Sequence, residues 1–383
     1  MGKLLLLGTA ILSLQLSAGA SAAQRAREAG VPFDGEPGPL DAITDVTGVE
    51  VGQVTLISGE GALVLGKGPV RTGLTAIFPK GKAYPGLVQA GTFVANGTGE
   101  MTGRALIDEL GEFSGPVVLT GSGSVGMARD SVQAWYARKT GGDPERTFLY
   151  TLPVVAETFD GRLNDTFGQH IKPEHVFEAL DGAKGGPVEE GSVGGGTGMI
   201  AYGYKAGIGT SSRRITIGKL SYTVGVLVQA NYGAREQLLI AGVPVGAELA
   251  HAAPLPAKEG SIIVVIATDA PLLPSELRRL ALRATHGIAR DGGMSGTTSG
   301  DLFLAFTTVV PRRLENGTLQ EDYVDPLSVN PLLAATVWAT EEAVINSLFA
   351  GRAMTGIDGH RADALPVSEV LKLLRSAHRL NES

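Results

Sequence analysis

The chain has 383 residues, of which 43% are hydrophobic and 19% charged, so it can bury a large core. Its formal net charge of −7, without a basic run interleaved with aromatic residues, argues against nucleic acid as a partner. The sequence contains no cysteine, which excludes disulfides and thiolate chemistry.

The N-terminal residues have the pattern of a secretory signal peptide. Lys3 precedes an apolar segment over residues 4–16, and small residues over 18–23 offer cleavage sites after Ala20, Ala22 or Ala23. The apolar segment is short for a membrane anchor, and no stop-transfer charges follow it. The sequence therefore predicts a signal peptide over residues 1–23 and a periplasmic or secreted location.

Glycine-punctuated apolar or alternating runs predict strands in the first half of the chain. These runs are residues 42–46, 49–55, 62–65, 74–78 and 152–158. Residues 24–40 are polar and predict a surface arm. Helical spacing predicts helices over 102–113, 124–139 and 173–180, with Thr102 and Ser124 as N-caps of the first two.

The second half continues with buried strands and amphipathic helices. Predicted strands are residues 223–230, 261–268 and 301–310, and predicted helices are 275–289, 332–350 and 367–377. Residues 240–260 resemble an exposed linker, but core strands flank them, so no domain boundary is indicated. Because the order lacks a strict βαβ rhythm, it favours a layered α/β sandwich with helices outside two stacked sheets.

A glycine-rich stretch over residues 194–198 superficially suggests a phosphate-binding loop. No Lys-Ser/Thr pair follows it, and no acidic ribose partner is suitably placed. The pattern instead indicates a close approach of the backbone near a site. No nucleotide or other cofactor is predicted.

The junction of Gly260 and Ser261 lies at the start of an Ile/Val-rich run. Glycine is the residue best able to adopt an unusual backbone angle there. If this peptide bond broke, Ser261 would carry a hydroxyl and a free α-amine, and such an amine titrates near ~7.7–8.0. An unprotonated amine could take the hydroxyl proton, which is the chemistry of an N-terminal nucleophile. Taken alone, Gly-Ser before a strand is more often a turn.

Several longer stretches resemble one known family, that of the β-peptidyl aminopeptidases and the similar L-aminopeptidase/D-amino-acid esterase-amidases. The resemblance covers the chain from about Val31 to the last helix. The stretches are AITDV (42–46), NGTGE (96–100), PVVAE (153–157), GGGTGMIAY (194–202), VLVQAN (226–231) and IATDAPL (266–272).

This resemblance implies a four-layer αββα sandwich that cleaves itself into a large subunit, residues 24–260, and a small subunit, residues 261–383. It also implies heterodimers assembled into a larger oligomer, such as a tetramer of heterodimers. Short peptides or aminoacyl amides are the implied substrates.

The resemblance also assigns roles to individual residues. They are Ser261 as the nucleophile, Ser299 and Asp301 as the pair that orients and deprotonates it, Asn231 as the oxyanion donor, and Glu157 as the carboxylate that holds the substrate amine. From the residues alone, Asn231 could cap a strand end and Ser299–Asp301 could form a turn. A purely structural role explains Glu157 less well, because burying an unpaired carboxylate is energetically costly.

Two positions depart from the β-peptidyl branch, which has Glu in place of Asp301 and Asn in place of Gly260. The Gly-Ser junction is similar to the L-aminopeptidase/D-esterase branch, so that activity is the alternative within the family. An acetyl-transferring enzyme would more commonly use threonine as its nucleophile. From another class, a non-catalytic periplasmic binding protein is the remaining alternative.

The six histidines show no metal-ligand spacing, and no metal is predicted.

Overall fold

The computed structural model describes residues 24–147, 151–249 and 260–381. The predicted signal peptide over 1–23 and residues 250–259 of the predicted linker lie outside these described residues. No helix in the described ranges combines the length and apolar character needed to cross a membrane.

Across the described ranges, the strands form two main sheets and three two-stranded ribbons. In chain order the strands are β1 (Glu50–Ser58), β2 (Val70–Phe78), β3 (Leu87–Gly97), β4 (Glu112–Ser114), β5 (Val117–Gly121), β6 (Val154–Thr158), β7 (Ile200–Ala201), β8 (Tyr204–Lys205), β9 (Ile208–Ile217), β10 (Leu220–Asn231), β11 (Ser261–Thr268), β12 (Gly300–Thr307), β13 (Arg312–Arg313), β14 (Leu319–Gln320), β15 (Met354–Thr355) and β16 (Arg361–Ala362). One main sheet has the order β1-β2-β5-β6 and the other β4-β3-β12-β11-β10-β9.

The helices are α1 (Arg104–Leu110), α2 (Val125–Thr140), α3 (Pro144–Thr147), α4 (Pro173–Gly182), α5 (Val245–Glu248), α6 (Pro274–Arg290), α7 (Asn330–Phe349) and α8 (Val367–Ser376). Helices α2 and α4 pack on the outer face of the four-stranded sheet, where Trp135 and Leu180 are buried. Helices α6 and α7 cover the outer face of the six-stranded sheet. The molecule is therefore the predicted αββα sandwich.

Strand β11 shows why the sequence builds two sheets back to back. All eight of its residues are buried. Ile262, Val264 and Ile266 face the layer of α6 and α7, whereas Ile263 and Val265 pack between the two sheets. Successive side chains of a strand point to opposite faces, so an uninterrupted Ile/Val run satisfies both layers. The prediction of a strand buried on both faces is confirmed.

The register of three neighbouring strands sets the position of the site. β11 is antiparallel to β10, with Asn231 opposite Ser261, and parallel to β12, with Ile262 opposite Asp301. The C-terminal end of β10 and the N-terminal ends of β11 and β12 therefore lie side by side.

Some local predictions were wrong. Residues 62–65 lie in an exposed loop between β1 and β2, and Ile43–Asp45 form a 3-10 turn rather than a strand. The predicted helix over 102–113 ends early, because Gly111 takes a left-handed conformation (φ 72°) and closes it; Phe113 then lies in β4. The N-cap of this helix is Gly103.

Two segments that composition suggested were exposed are in fact anchored. In the predicted surface arm, Ala26 and Val31 are fully buried, and the Arg25 side chain pairs with Glu190 at 2.8 Å. In the described part of the predicted linker, Ile240 and Val245 belong to the core beneath the six-stranded sheet. In both segments a few apolar side chains outweigh the polar average, because their burial decides the path of the backbone.

Candidate active site

Ser261 is the first residue of β11 and is largely buried, with 7% of its surface exposed. The N–H of Gly300, at the start of β12, donates to its Oγ at 3.0 Å. Adjacent strands lie about 4.8 Å apart, so the β10 and β12 residues beside it are within side-chain reach. The strand register thus brings Asn231, Ser261 and Asp301 together from three separate parts of the sequence.

Ser299 and Asp301 lie immediately beside the Gly260–Ser261 bond. The Ser299 hydroxyl is 2.5 Å from Oδ1 of Asp301 and also contacts the carbonyl oxygen of Gly260. The Ser299 hydroxyl has one proton and can donate it to only one of these two oxygens. Burial raises the pKa of Asp301, although hydrogen bonds to its carboxylate oppose the shift. The Ser299 hydroxyl therefore donates either to the Asp301 carboxylate or to the Gly260 carbonyl.

Space restricts residue 260 to glycine, since a Cβ built on Gly260 would lie 1.9 Å from the carbonyl oxygen of Asn231. The end of β10 and the residue before β11 are in close backbone contact.

The side-chain amide of Asn231 is fixed in orientation by two backbone partners. Its Oδ1 accepts from the Ile200 N–H at 2.9 Å, and its Nδ2 donates to the Phe159 carbonyl at 3.0 Å. An amide nitrogen carries two protons, so one N–H is left for another acceptor. A Cβ on Gly260 would be 3.4 Å from this nitrogen, which places the amide beside the junction. A strand-end cap would make the same two backbone contacts, so the oxyanion role of Asn231 stays a prediction.

Glu157 comes from the other sheet, at the end region of β6. The Glu100 N–H donates to its Oε1 at 3.0 Å, and the Ser122 hydroxyl donates to its Oε2. The residue is 7% exposed, and burial raises the pKa of its carboxyl. No lysine or arginine of the described ranges pairs with it. A buried carboxylate without a cation can accept the ammonium group of a ligand.

One cavity of about 800 Å³ joins these groups. Its wall includes Ser261, Gly260, Asn231 and Glu157, while Ser299 and Asp301 lie behind the junction. The volume lies within the range of small-molecule sites. The sequence analysis did not single out four other residues of the wall, namely Phe159, Arg162, Arg235 and His360. In the sequence, Phe159 and Arg162 closely follow Glu157, Arg235 follows Asn231, and His360 directly precedes β16. These positions are the only signal that could have pointed to them.

The glycine-rich stretch has the structural role that was predicted for it. A Cβ on Gly195 would meet the Gln229 side chain at 2.0 Å, and a Cβ on Gly196 would meet the Ile208 nitrogen at 2.4 Å. The stretch leads to Gly198 and Ile200, which line the cavity. Close backbone packing therefore positions the Ile200 N–H that holds Asn231.

A buried lysine supports the same wall. The Nζ of Lys205 donates to the carbonyls of Gly196 (3.2 Å), Met199 (2.8 Å) and Ala206 (2.8 Å). Three carbonyls match the three donors of an ammonium group. Burial lowers the pKa of Lys205 to about 7.

The described residues contain no group of three His, Asp or Glu side chains arranged to hold a metal ion. His170 contacts Asp165 at 2.9 Å, and His360 contacts the backbone carbonyl of Arg162 at 3.2 Å. The sequence-based expectation that no metal is needed stays a prediction.

Comparison with known proteins gives consistent matches over nearly the whole chain. The model of peptidase family S58 matches residues 41–362. The β-peptidyl aminopeptidase BapA of Sphingosinicella xenopeptidilytica is 49% identical, over 98% of this chain and 96% of that protein.

Two solved structures are similarly close. The PH0078 protein of Pyrococcus horikoshii OT3 superposes with a TM-score of 0.87 at 44% identity, covering 93% of this chain and 100% of that one. The L-aminopeptidase D-Ala-esterase/amidase of Ochrobactrum anthropi has a TM-score of 0.87 at 43% identity, covering 93% and 99%. It is described as a prototype for the serine aminopeptidases and a new variant among the Ntn hydrolase fold.

Proposed function

Since the chain belongs to peptidase family S58 and is a serine aminopeptidase, we propose that Ser261 is its nucleophile and is freed by cleavage of the Gly260–Ser261 bond. The observation that carries this proposal is the cavity that joins Ser261, Asn231 and the unpaired carboxylate of Glu157.

The geometry supports a self-cleavage route through an ester. The Ser261 oxygen attacks the Gly260 carbonyl carbon, and its proton passes to the departing nitrogen, which becomes the α-amine of Ser261. Water then opens the ester, leaving a carboxylate on Gly260 and restoring the hydroxyl. The Ser299 hydroxyl contacts the carbonyl oxygen under attack, and the free N–H of Asn231 can stabilise the developing oxyanion.

Cleavage at this bond would leave one fold rather than two domains. The large subunit, residues 24–260, supplies β3 and β10, and the small subunit, residues 261–383, supplies β11 and β12. β12 and β11 lie side by side in the middle of one sheet, between large-subunit strands, with β12 paired to β3 and β11 paired to β10. The two products therefore stay together through a shared ladder and core.

The same groups can then hydrolyse a substrate with a free amine. Glu157 binds the ammonium group, the Ser261 oxygen attacks the adjacent carbonyl, and the Asn231 amide stabilises the oxyanion. The leaving amine departs with a proton, and water hydrolyses the acyl-enzyme ester at Ser261. Either the α-amine of Ser261 or the Ser299–Asp301 pair acts as the base.

We propose short peptides and aminoacyl amides as substrates, including those with an N-terminal β-amino acid. The name of the relative with 49% identity supports this class. The L-aminopeptidase/D-esterase activity is the alternative, and the Gly-Ser junction favours it.

A substrate panel tests the proposal. Matched amides of β- and α-amino acids, in L and D forms, are compared with the same compounds bearing an acetylated amine. We expect turnover of the free amines and little of the acetylated ones. Equal turnover of both sets, or none of either, would contradict the assignment of Glu157 and Ser261.

The proposal extends to assembly and location. The cleaved halves form heterodimers, and these form a tetramer of heterodimers in the periplasm or medium. Light scattering gives the mass of the assembly, and N-terminal sequencing shows whether residues 1–23 are removed.

A further inference from the structure

Two arginines of the active-site cavity have no acidic partner. Arg162 and Arg235 both line the wall, and in the described ranges no carboxylate lies within ion-pair distance of either guanidinium. The Nε atom of each is buried and makes no hydrogen bond. Because these Nε atoms have no accessible surface, a ligand in the cavity meets the terminal guanidinium nitrogens of the two arginines instead.

Arg235 is held rigidly in spite of this. One of its terminal nitrogens donates to the Gly203 carbonyl at 2.7 Å, and its guanidinium carbon is 4.4 Å from the centre of the Tyr204 ring. These contacts leave other guanidinium donors free. A planar fork fixed in this way suits a carboxylate better than a flexible ammonium group does.

The arginines and Glu157 lie on opposite sides of the nucleophile. A Cβ on Gly99 would be 3.4 Å from Oε1 of Glu157 and 3.0 Å from the Cα of Gly300, which places Glu157 on the β12 side of Ser261. Arg235 follows Asn231 at the end of β10, the strand on the other side of β11.

Arg162 lines the same cavity, and the backbone leading to it lies on the β10 side, since the carbonyl of Phe159, three residues earlier, accepts from the Asn231 side chain. The cavity therefore has a negative end beyond β12 and a positive end beyond β10, with Ser261 between them. A substrate whose amine is at Glu157 must direct its leaving group toward the arginines.

We propose that Arg162 and Arg235 bind the C-terminal carboxylate of a short, unblocked peptide, so that the cavity selects zwitterionic di- and tripeptides. This inference rests on the proposed function, because it takes Glu157 as the site of the substrate amine. Strand β10 is about 4.8 Å from β11, and one extended residue covers about 3.3–3.6 Å. A carboxylate one or two residues beyond the scissile bond therefore reaches the arginine side.

The test compares peptides that differ only at the C-terminus. A dipeptide and its C-terminal amide are assayed with the self-processed enzyme, and release of the N-terminal residue is followed by chromatography. Hydrogen bonds to a charged group predict a kcat/KM for the free acid about 10- to 100-fold above that for the amide. The ratio of the two values does not depend on the fraction of folded enzyme.

Variants assign the preference to the two side chains. Arg162→Met and Arg235→Met should each lower the ratio, and the double variant should bring it to about 1. Arg235→Lys keeps the positive charge but lacks the planar guanidinium that can donate two parallel hydrogen bonds, and it should give an intermediate ratio. Arg375→Met changes an exposed arginine of α8, outside the cavity, and should keep the wild-type ratio.

The outcomes separate this inference from the proposed function. Hydrolysis of both peptides by the natural enzyme at equal kcat/KM would overturn the inference and leave the aminopeptidase assignment intact. A wild-type preference that persists in the double variant would overturn the role of the arginines. Hydrolysis of neither peptide would contradict the proposed function and the inference with it.

Discussion

Replacing Glu157 with glutamine separates the charge of the carboxylate from its shape. Both oxygens of Glu157 accept hydrogen bonds, from the Glu100 N–H and the Ser122 hydroxyl. In Glu157→Gln the amide oxygen can keep the first contact, and the amide nitrogen can donate to the Ser122 oxygen. We therefore expect the variant to fold and to cleave itself as the natural protein does.

The loss in activity follows from the missing ion pair. A hydrogen bond to a charged group contributes about 1.5–3 kcal/mol. At about 1.36 kcal/mol for each factor of ten, kcat/KM on free-amine substrates should fall about 10- to 150-fold. Activity on an acetylated analogue should change far less. The assay is the release of the N-terminal residue from paired free and acetylated aminoacyl amides.

The stability of the variant should not fall with its activity. Burial raises the pKa of Glu157 above its ordinary value of 4.5, so the folded chain binds this proton more tightly than the unfolded chain does. The stabilisation from the protonated carboxyl is lost as the pH rises through the folded-state pKa. Removing the ionised group should leave the Tm at pH 7 unchanged or higher. In a plot of kcat/KM against pH, the part on the acid side should also differ between the wild type and the variant.

Two results would refute this reasoning. An unimpaired glutamine variant would show that the carboxylate does not bind the substrate amine. A variant equally impaired on free and acetylated substrates would show that Glu157 supports the structure of the site rather than the ammonium group.

Three further predictions concern self-cleavage, a buried lysine and the absence of a metal requirement. Ser299→Ala removes the hydroxyl that contacts the Gly260 carbonyl, so self-cleavage should slow by about 10²-fold or more in a time course of intact mass, and an unchanged rate would exclude this role. Burial lowers the pKa of Lys205 from 10.5 to about 7, so between these pH values the unfolded chain binds this proton and the folded chain does not. The free energy of unfolding of the wild type should therefore rise by about 1.4 kcal/mol per pH unit over this range. Lys205→Met should lose that gain in urea unfolding at pH 7.5, 8.5 and 9.5, and equal slopes would contradict it. Exhaustive chelation should leave activity unchanged, and a loss restored by zinc or manganese would contradict the metal-free mechanism.

The parts of the fold that follow from long apolar runs were predictable. The Ile/Val run after Ser261 predicted a strand buried on both faces, and the polar end of the run over 223–230 located Asn231 at its edge. Glu157 stood out because a carboxylate in an apolar strand needs a partner or a function. In these cases local pattern and tertiary position agree.

Other features depend on contacts that no local pattern reveals. A left-handed glycine ended α1 before Phe113, and a few buried side chains anchored segments whose average composition is polar. Arg162 and Arg235 are 73 positions apart and share a cavity only because the loop after β6 and the residues after β10 both line it. Their lack of an acidic partner is a property of the folded chain. Sequence alone cannot show which arginines are unpaired.

The mass of the purified protein tests the central claim most directly. The account predicts two polypeptides that stay associated, the smaller beginning at Ser261, and a single uncut chain for Ser261→Ala. The matched variant Ser275→Ala, which changes a serine of α6 outside this cavity, should still give two polypeptides. Cleavage of Ser261→Ala at the same bond, or an active natural enzyme that remains one chain, would contradict the account.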